Sequence, residues 1–168
     1  MADQNEGAAS LDMAFASPIM RIAVPDADAL NEKIIAEAYA LRDASEGLNR
    51  SNRNGWHSKN DLMQRTEPGL SRLASLIPKA VNMISQQAVP EFDTSAHAML
   101  VNGWININPQ HGYNAPHTHR GFMWSGCYYV KQPPQTVDEA GSIQFLAPWQ
   151  LPHELERRPF NLQHIWQP

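Results

Sequence analysis

The hydrophobic period changes once along this chain, and that change limits the possible fold more than any other feature. Before Pro90, apolar residues recur at helical spacing. Leu30, Ile34, Ala38 and Leu41 mark one such face, and Leu70, Leu73, Ile77, Val81 and Ile84 mark a second. After Pro90 the period falls to two. Within residues 97–108, Ala98, Leu100, Asn102, Trp104, Asn106 and Asn108 lie on one side, with Met99, Val101, Ile105 and Ile107 on the other. Helices followed by a run of strands do not make a parallel βαβ sheet. They predict an α+β domain, with helices packed on one face of a β-sandwich or jelly roll.

The boundaries follow from local chemistry. Residues 1–14 read as a flexible leader, and residues 15–168 as a single domain. Ile19, Ile22 and Val24 before Pro25 predict a short strand over residues 15–24. Asp26 or Asp28 is placed to cap the first helix, which should end between residues 44 and 47. Residues 45–65 are polar and turn-rich, apart from Trp56 and the Leu62-Met63 pair. Thr66, Glu67 and Pro68 form a helix-start signature, and Pro78 should kink or interrupt the second helix. Strands are expected at 97–108, 122–131, 141–146 and 160–166, with loops at 109–116 and 148–159. The first three of those strands should form one antiparallel system, with both helices on its outer face.

Composition removes several function classes. The chain has 168 residues, enough for one domain with a core of its own, and 42% of them are apolar. Net charge is −4, and no basic block exceeds the Arg157-Arg158 pair, which argues against a nucleic-acid surface. Cys127 is the single cysteine, so the fold needs no oxidising compartment. No apolar run approaches the roughly 18–20 residues that span a bilayer. The first ten residues lack the apolar stretch of a signal peptide. A cytoplasmic location is expected, with no membrane or nucleic-acid partner. The oligomeric state is left open.

His117 and His119 carry the most pointed chemistry. In an extended segment, residues two apart face one side, and two imidazoles can then reach one ion at about 2.0–2.2 Å. Imidazole suits iron, zinc, copper and nickel. The same pair also fits two exposed polar residues of a loop. Asn106 and Asn108 end a strand with both amides on one side. They can bind a small anionic or carbonyl ligand, or cap the strand and steady the turn before Gly112. Ser125, Cys127, Tyr129 and Lys131 share one side of the next strand. Lys131 either holds a carboxylate or ends a strand in solvent. Cys127 has no partner at catalytic spacing and reads as a small buried residue. His57, His97, His111, His153 and His164 each read as surface or hydrogen-bonded histidines. The five tryptophans read as packing, with Trp124 near enough to the histidine pair to wall a pocket.

Several separated motifs occur in an order that resembles a known family. Asn54-Gly55-Trp56-His57-Ser58 is followed by Trp104-Ile105-Asn106-Ile107-Asn108. Then come Gly112-Tyr113-Asn114-Ala115-Pro116-His117-Thr118-His119, Ser125-Gly126-Cys127-Tyr128-Tyr129-Val130-Lys131, and Gly141-Ser142-Ile143-Gln144-Phe145. Over residues 15–166 the arrangement resembles a family of iron(II)- and 2-oxoglutarate-dependent oxygenases. The resemblance implies a double-stranded β-helix, a jelly-roll variant with helices buttressing one sheet. It implies Fe(II) held by His117 and His119, the latter standing where relatives usually place a carboxylate. It implies 2-oxoglutarate oriented by Asn106, Asn114 and Lys131, and hydroxylation of a small molecule or protein side chain. The family continues beyond the equivalent of Pro168 with strands that carry a distal histidine and an arginine. The C-terminal strands are therefore expected to be missing here, with His153 and His164 as the only late candidates for a third ligand.

Two other functions fit the same residues. One is a catalytically inactive or truncated jelly-roll relic that acts through association. The other is a cupin-like metal protein of a different reaction class. With two imidazoles of three ligands, the 168-residue chain is expected to decarboxylate 2-oxoglutarate little or not at all, and a version extended through the missing strands should do so readily.

Overall fold

The computed structural model describes residues 17–133, 141–145 and 164–166. They form an α+β arrangement of two helices and short antiparallel strands. Helix α1 spans Ala27–Asp43 and helix α2 spans Pro68–Ala88. The strands are β1 (Asn52–Arg53), β2 (Trp56–His57), β3 (Asn106–Ile107), β4 (Tyr113–Asn114), β5 (Ile143–Phe145) and β6 (His164–Trp166).

Both helices lie where their periodicity puts them. Ile34 on α1 and Leu70 and Leu73 on α2 are buried against Leu62, which sits in a short 3-10 turn between them. Leu30, Leu41, Ile77, Ile105, Tyr128 and Val130 pack around that cluster. Gly69 lets the helices approach closely. A Cβ there would come within 3.0 Å of the Ile34 backbone nitrogen and 2.9 Å of a Glu37 carboxylate oxygen. Pro78 lies within α2, yet the helix runs unbroken to Ala88, so the expected interruption does not occur. Packing of its apolar face outweighs one lost backbone hydrogen bond.

The start of α2 is capped from the other helix. Glu67 occupies the cap position without a side-chain cap bond. Instead, the Glu37 carboxylate of α1 accepts from Gly69 N at 2.9 Å and Leu70 N at 2.8 Å. These are two of the amides that no helix can satisfy internally, and a negative charge there also suits the helix dipole. Glu37→Ala should therefore lower stability by about 2 kcal/mol, the range of a lost charged cap. Urea unfolding of the two proteins checks this, and Glu37→Gln should recover part of the loss.

The β region departs from expectation. Residues 17–24 form no strand; Phe15 and Ala16 lie outside the described residues. Residues 97–108 contribute only Asn106–Ile107 to a ladder, and residues 122–131 contribute none. The three ladders are β1 with β4, β2 with β3, and β5 with β6, each antiparallel and each its own two-stranded sheet. The expected single antiparallel system over 97–108, 122–131 and 141–146 is thus corrected. Among the described residues no closed jelly roll forms. β5 and β6 fall inside the expected strands 141–146 and 160–166, whose other residues are in part undescribed.

Partner choice explains the difference. Residues 103–107 pair with residues 56–62, a stretch whose sequence showed turns and no strand period. Ser58 N donates to Ile105 O at 3.0 Å, and Ile105 N donates to the Ser58 hydroxyl at 2.9 Å. That hydroxyl stands in for a ladder carbonyl. Leu62 N donates to Gly103 O at 3.1 Å. Gly103 has no side chain because Leu62 fills the space, 2.9 Å from where a Cβ would be. Residues 122–131 keep their alternation without a ladder. Trp124 Nε1 donates to the buried Ser85 hydroxyl at 2.8 Å, and the Tyr128 hydroxyl donates to Asn31 Oδ1 at 2.8 Å. Tyr128 and Val130 thus face the helices, while Ser125, Cys127 and Lys131 are exposed.

Candidate metal centre

The site is built on residues 51–58, between two distant pieces of chain. Asn52 and Arg53 pair with Asn114 and Tyr113, and Trp56 and His57 pair with Ile107 and Asn106. Asn54 turns the chain between β1 and β2 with φ of 54°, a left-handed conformation that asparagine tolerates. Asn52 braces the turn, accepting from Arg50 N and donating to Gly55 O, both at 2.7 Å. Gly55 has no room for a side chain, because the Asn108 amide lies over it.

The other edge of the site is the loop ahead of the histidine pair. Gly112 N donates to Pro109 O at 2.8 Å, closing the turn, and Ala115 N donates to Ser51 O at 2.8 Å. The second bond anchors the chain just before His117. The Ala115 carbonyl then meets the His117 ring, with Nδ1 at 2.8 Å. A carbonyl only accepts, so Nδ1 carries a proton, and in the neutral ring the lone pair is on Nε2.

That lone pair points at His119. The two Nε2 atoms lie 3.1 Å apart, with ring centroids 4.6 Å apart and planes at 80°. The i, i+2 reading of the pair thus holds geometrically. Nitrogens at this spacing can each sit about 2.1 Å from one ion at an angle near ~95°, the cis angle of an octahedral ion. Burial holds the His119 pKa below the usual histidine value, and the charge of His117 works the same way. His119 is thereby biased toward the neutral, metal-binding form. Among the described residues no group of three histidine, cysteine or carboxylate side chains surrounds one point. The pair fits two positions of a metal site.

Behind His119 stand two rings: Trp104, which the sequence left as packing, and His57, which it left as a surface or hydrogen-bonded histidine. Trp104 lies 5.5 Å from the His119 ring, tilted at 43°. On its other contact it stacks on His57 at 5.3 Å and 13°. His57 is only 3% exposed, and its Nδ1 donates to Ser58 O at 2.6 Å. The signal for these residues was the Asn54-Gly55-Trp56-His57-Ser58 motif, but nothing in its spacing pairs it with Trp104.

The structure scatters the other expected site residues. Asn106 is exposed on β3 and directly opposite His57 in register. Asn114 is half-buried on β4, and its Oδ1 is buried without a hydrogen-bond partner. A buried amide group without a partner is costly, and turning the amide over would aim a donor into that space. Lys131 is exposed. Trp124 donates from Nε1 to the Ser85 hydroxyl of α2. Cys127 has exposed surface, so the buried-residue expectation is corrected. Burial of its sulfur still raises the thiol pKa, against the effect of a Tyr129 hydrogen bond. Burial first, and then the Cys127 contact, pushes the Tyr129 phenol up to about 12. Neither group is an activated nucleophile. His97 stacks on Phe92 at 4.6 Å and bonds Asp93 O, and His111 is exposed in the turn with φ of 64°. His153 lies outside the described residues, and His164 pairs with Phe145 across the β5–β6 ladder. No helix among the described residues is long and apolar enough to cross a membrane.

Residues 102–162 match the family model described as "Putative 2OG-Fe(II) oxygenase". The match takes in Trp104, Asn106, Asn114, His117, His119 and Lys131. No curated protein and no solved structure matches the chain.

Proposed function

Taking residues 102–162 as a segment of the 2OG-Fe(II) oxygenase family, we propose that this protein is an iron(II)- and 2-oxoglutarate-dependent oxygenase-like domain with a jelly-roll scaffold. The observation that carries the reading is the pair of Nε2 atoms 3.1 Å apart, with the His117 tautomer fixed by Ala115 O. His117 and His119 hold the metal at two adjacent positions. Asn114 offers a buried amide to the cosubstrate, and resemblance to the family alone adds Asn106, exposed on β3, and the exposed Lys131 as a cation for a carboxylate. Iron(II) and 2-oxoglutarate together supply one chemistry: dioxygen converts 2-oxoglutarate and a C–H bond into succinate, carbon dioxide and an alcohol. The substrate that provides the C–H bond is a small molecule or a protein side chain. The third protein ligand is His153, His164 or a residue outside this chain.

Anaerobic spectroscopy tests the reading. Adding 2-oxoglutarate to the Fe(II)-loaded protein should produce a visible charge-transfer band, and His119→Ala should lose it. Metal binding that ignores 2-oxoglutarate would sink the oxygenase reading and favour a cupin-like metal protein. Succinate formation by the 168-residue chain under Fe(II), ascorbate and oxygen should be small, because two imidazoles hold iron weakly. Robust turnover abolished by His153→Ala or His164→Ala would overturn that expectation and identify the third ligand.

A further inference from the structure

We propose that Trp104 and His57 are positioning residues that hold the His119 imidazole in its metal-facing orientation. The inference rests on the metal reading for its consequence, but its geometry is independent of any ion. The His117 ring is fixed by its own hydrogen bond to Ala115 O at 2.8 Å. His119 makes no such bond to a backbone carbonyl among the described residues. Its ring contacts are the His117 ring at 4.6 Å and the Trp104 ring at 5.5 Å. The polar contact of its ring, the 3.1 Å approach of Nε2 to His117 Nε2, is the one that an ion between the two rings would replace, so packing must orient the ring when that contact is given up.

Trp104 is suited to that task because it is itself immobilised. It stacks on His57 at 5.3 Å with planes only 13° apart. His57 is buried to 3% exposure and fixed by the 2.6 Å bond from Nδ1 to Ser58 O. Ser58 is also buried, and its hydroxyl bonds both Ile105 N and Lys59 O, at 2.9 and 2.7 Å. The β2–β3 ladder brings the two rings together, since Trp104 is two residues from Asn106, the partner of His57. A rigid wall thus runs from the core to the metal-facing imidazole. It also gives a role to a histidine buried in the β2–β3 ladder.

The test uses two measurements on the full 168-residue chain. The first is NMR of the metal-free protein, reading the His119 imidazole proton shifts and ring-nitrogen tautomer. Trp104→Leu should remove the ring-current shift at His119 and leave its tautomers mixed. His57→Leu should give a weaker change of the same kind. Trp104→Phe should rescue the ordered state, since a ring is kept. The second is Ni(II) binding by calorimetry. Trp104→Leu should weaken Ni(II) about tenfold, the scale on which residues behind a ligand act, and Trp104→Phe should stay within about threefold of the parent.

Unchanged His119 resonances in both Trp104→Leu and His57→Leu would overturn the inference, whatever the metal does. So would Ni(II) affinity lost equally in Trp104→Phe and Trp104→Leu. If Trp104→Leu fails to fold, His57→Leu and Trp104→Phe decide the matter. His119→Ala is the control that separates the two readings. If Ni(II) binds His119→Ala as well as the parent, the metal reading fails, and the NMR comparison alone judges the positioning of the ring.

Discussion

His117→Ala should reduce Fe(II) or Ni(II) affinity by about a hundredfold or more, the largest functional effect expected of any single substitution in this chain. Under the proposed function, two imidazoles 3.1 Å apart would share one ion, so removing one would leave a single ligand with solvent around it. The loss of a protein ligand exceeds the roughly 10–100-fold range known for residues that merely support one. The effect should be specific to the metal. His117 is exposed, so its replacement costs the fold little and the unfolding midpoint should be unchanged. Calorimetric titration of the parent, His117→Ala and His111→Ala measures this. His111 is exposed on the same loop but has no ring partner in the site, so its variant should bind like the parent. Equal affinity in all three proteins would end the assignment of His117 and His119 as ligands.

Leu70→Ala should be the most damaging substitution for the fold, at about 3 kcal/mol within the range for buried leucines. Leu70 is fully buried, with 0% exposure, at the point where α1, α2 and the Leu62 turn meet. Its neighbours are held by other restraints. Its backbone amide is bound to Glu37, and Gly69 fixes the helix separation. The site therefore cannot collapse readily to fill the space, which puts the cost above the lowest values. For a chain of this size, the unfolding midpoint should fall by about 10 °C. A loss below about 1 kcal/mol would show that the helix pair is not the core of the protein. The consequence should reach the site as well. Ile105, Tyr128 and Val130 pack on the same cluster, so loosening it frees the segment that carries Trp104.

The two helices were legible in the sequence because the forces that form them repeat along it. Ile34 and Ala38, or Leu70, Leu73 and Ile77, recur every three to four residues, and one face is buried by any suitable neighbour. Helix α1 ends at Asp43, next to the residues expected to end it. The cap of α2 was not legible. Thr66 and Glu67 looked like a self-contained start, but a carboxylate 32 residues upstream satisfies Gly69 N. A cap supplied by another helix leaves no local pattern to read.

The strands failed for a related reason. Period two in residues 97–108 correctly placed Trp104 and Asn106 on a common side, but alternation says nothing about hydrogen-bond partners. The partner turned out to be residues 56–62, part of a stretch that looked like turns. Those residues do turn, and they also pair, with Ser58 using its hydroxyl where a strand would use its backbone. Alternation in residues 122–131 reported which side chains face the helices, and no ladder came with it.

The sequence by itself determined the helix faces, the antiparallel character of the strands after Pro90, and the His117–His119 pair. Each depends on residues within one turn of helix or two steps of extended chain, where covalent geometry fixes relative direction. Tertiary structure alone decided that the pair converges on one point. Two histidines two residues apart can splay or meet, and here the two Nε2 atoms meet at 3.1 Å, with the Ala115 carbonyl on one ring and the Trp104 ring against the other. Tertiary structure also decided that Trp104 reaches His119 with His57 behind it, because 47 residues separate Trp104 from His57 and only the β2–β3 ladder closes that distance. Contacts made across such a gap depend on the whole chain being folded, which is why no local spacing announces them.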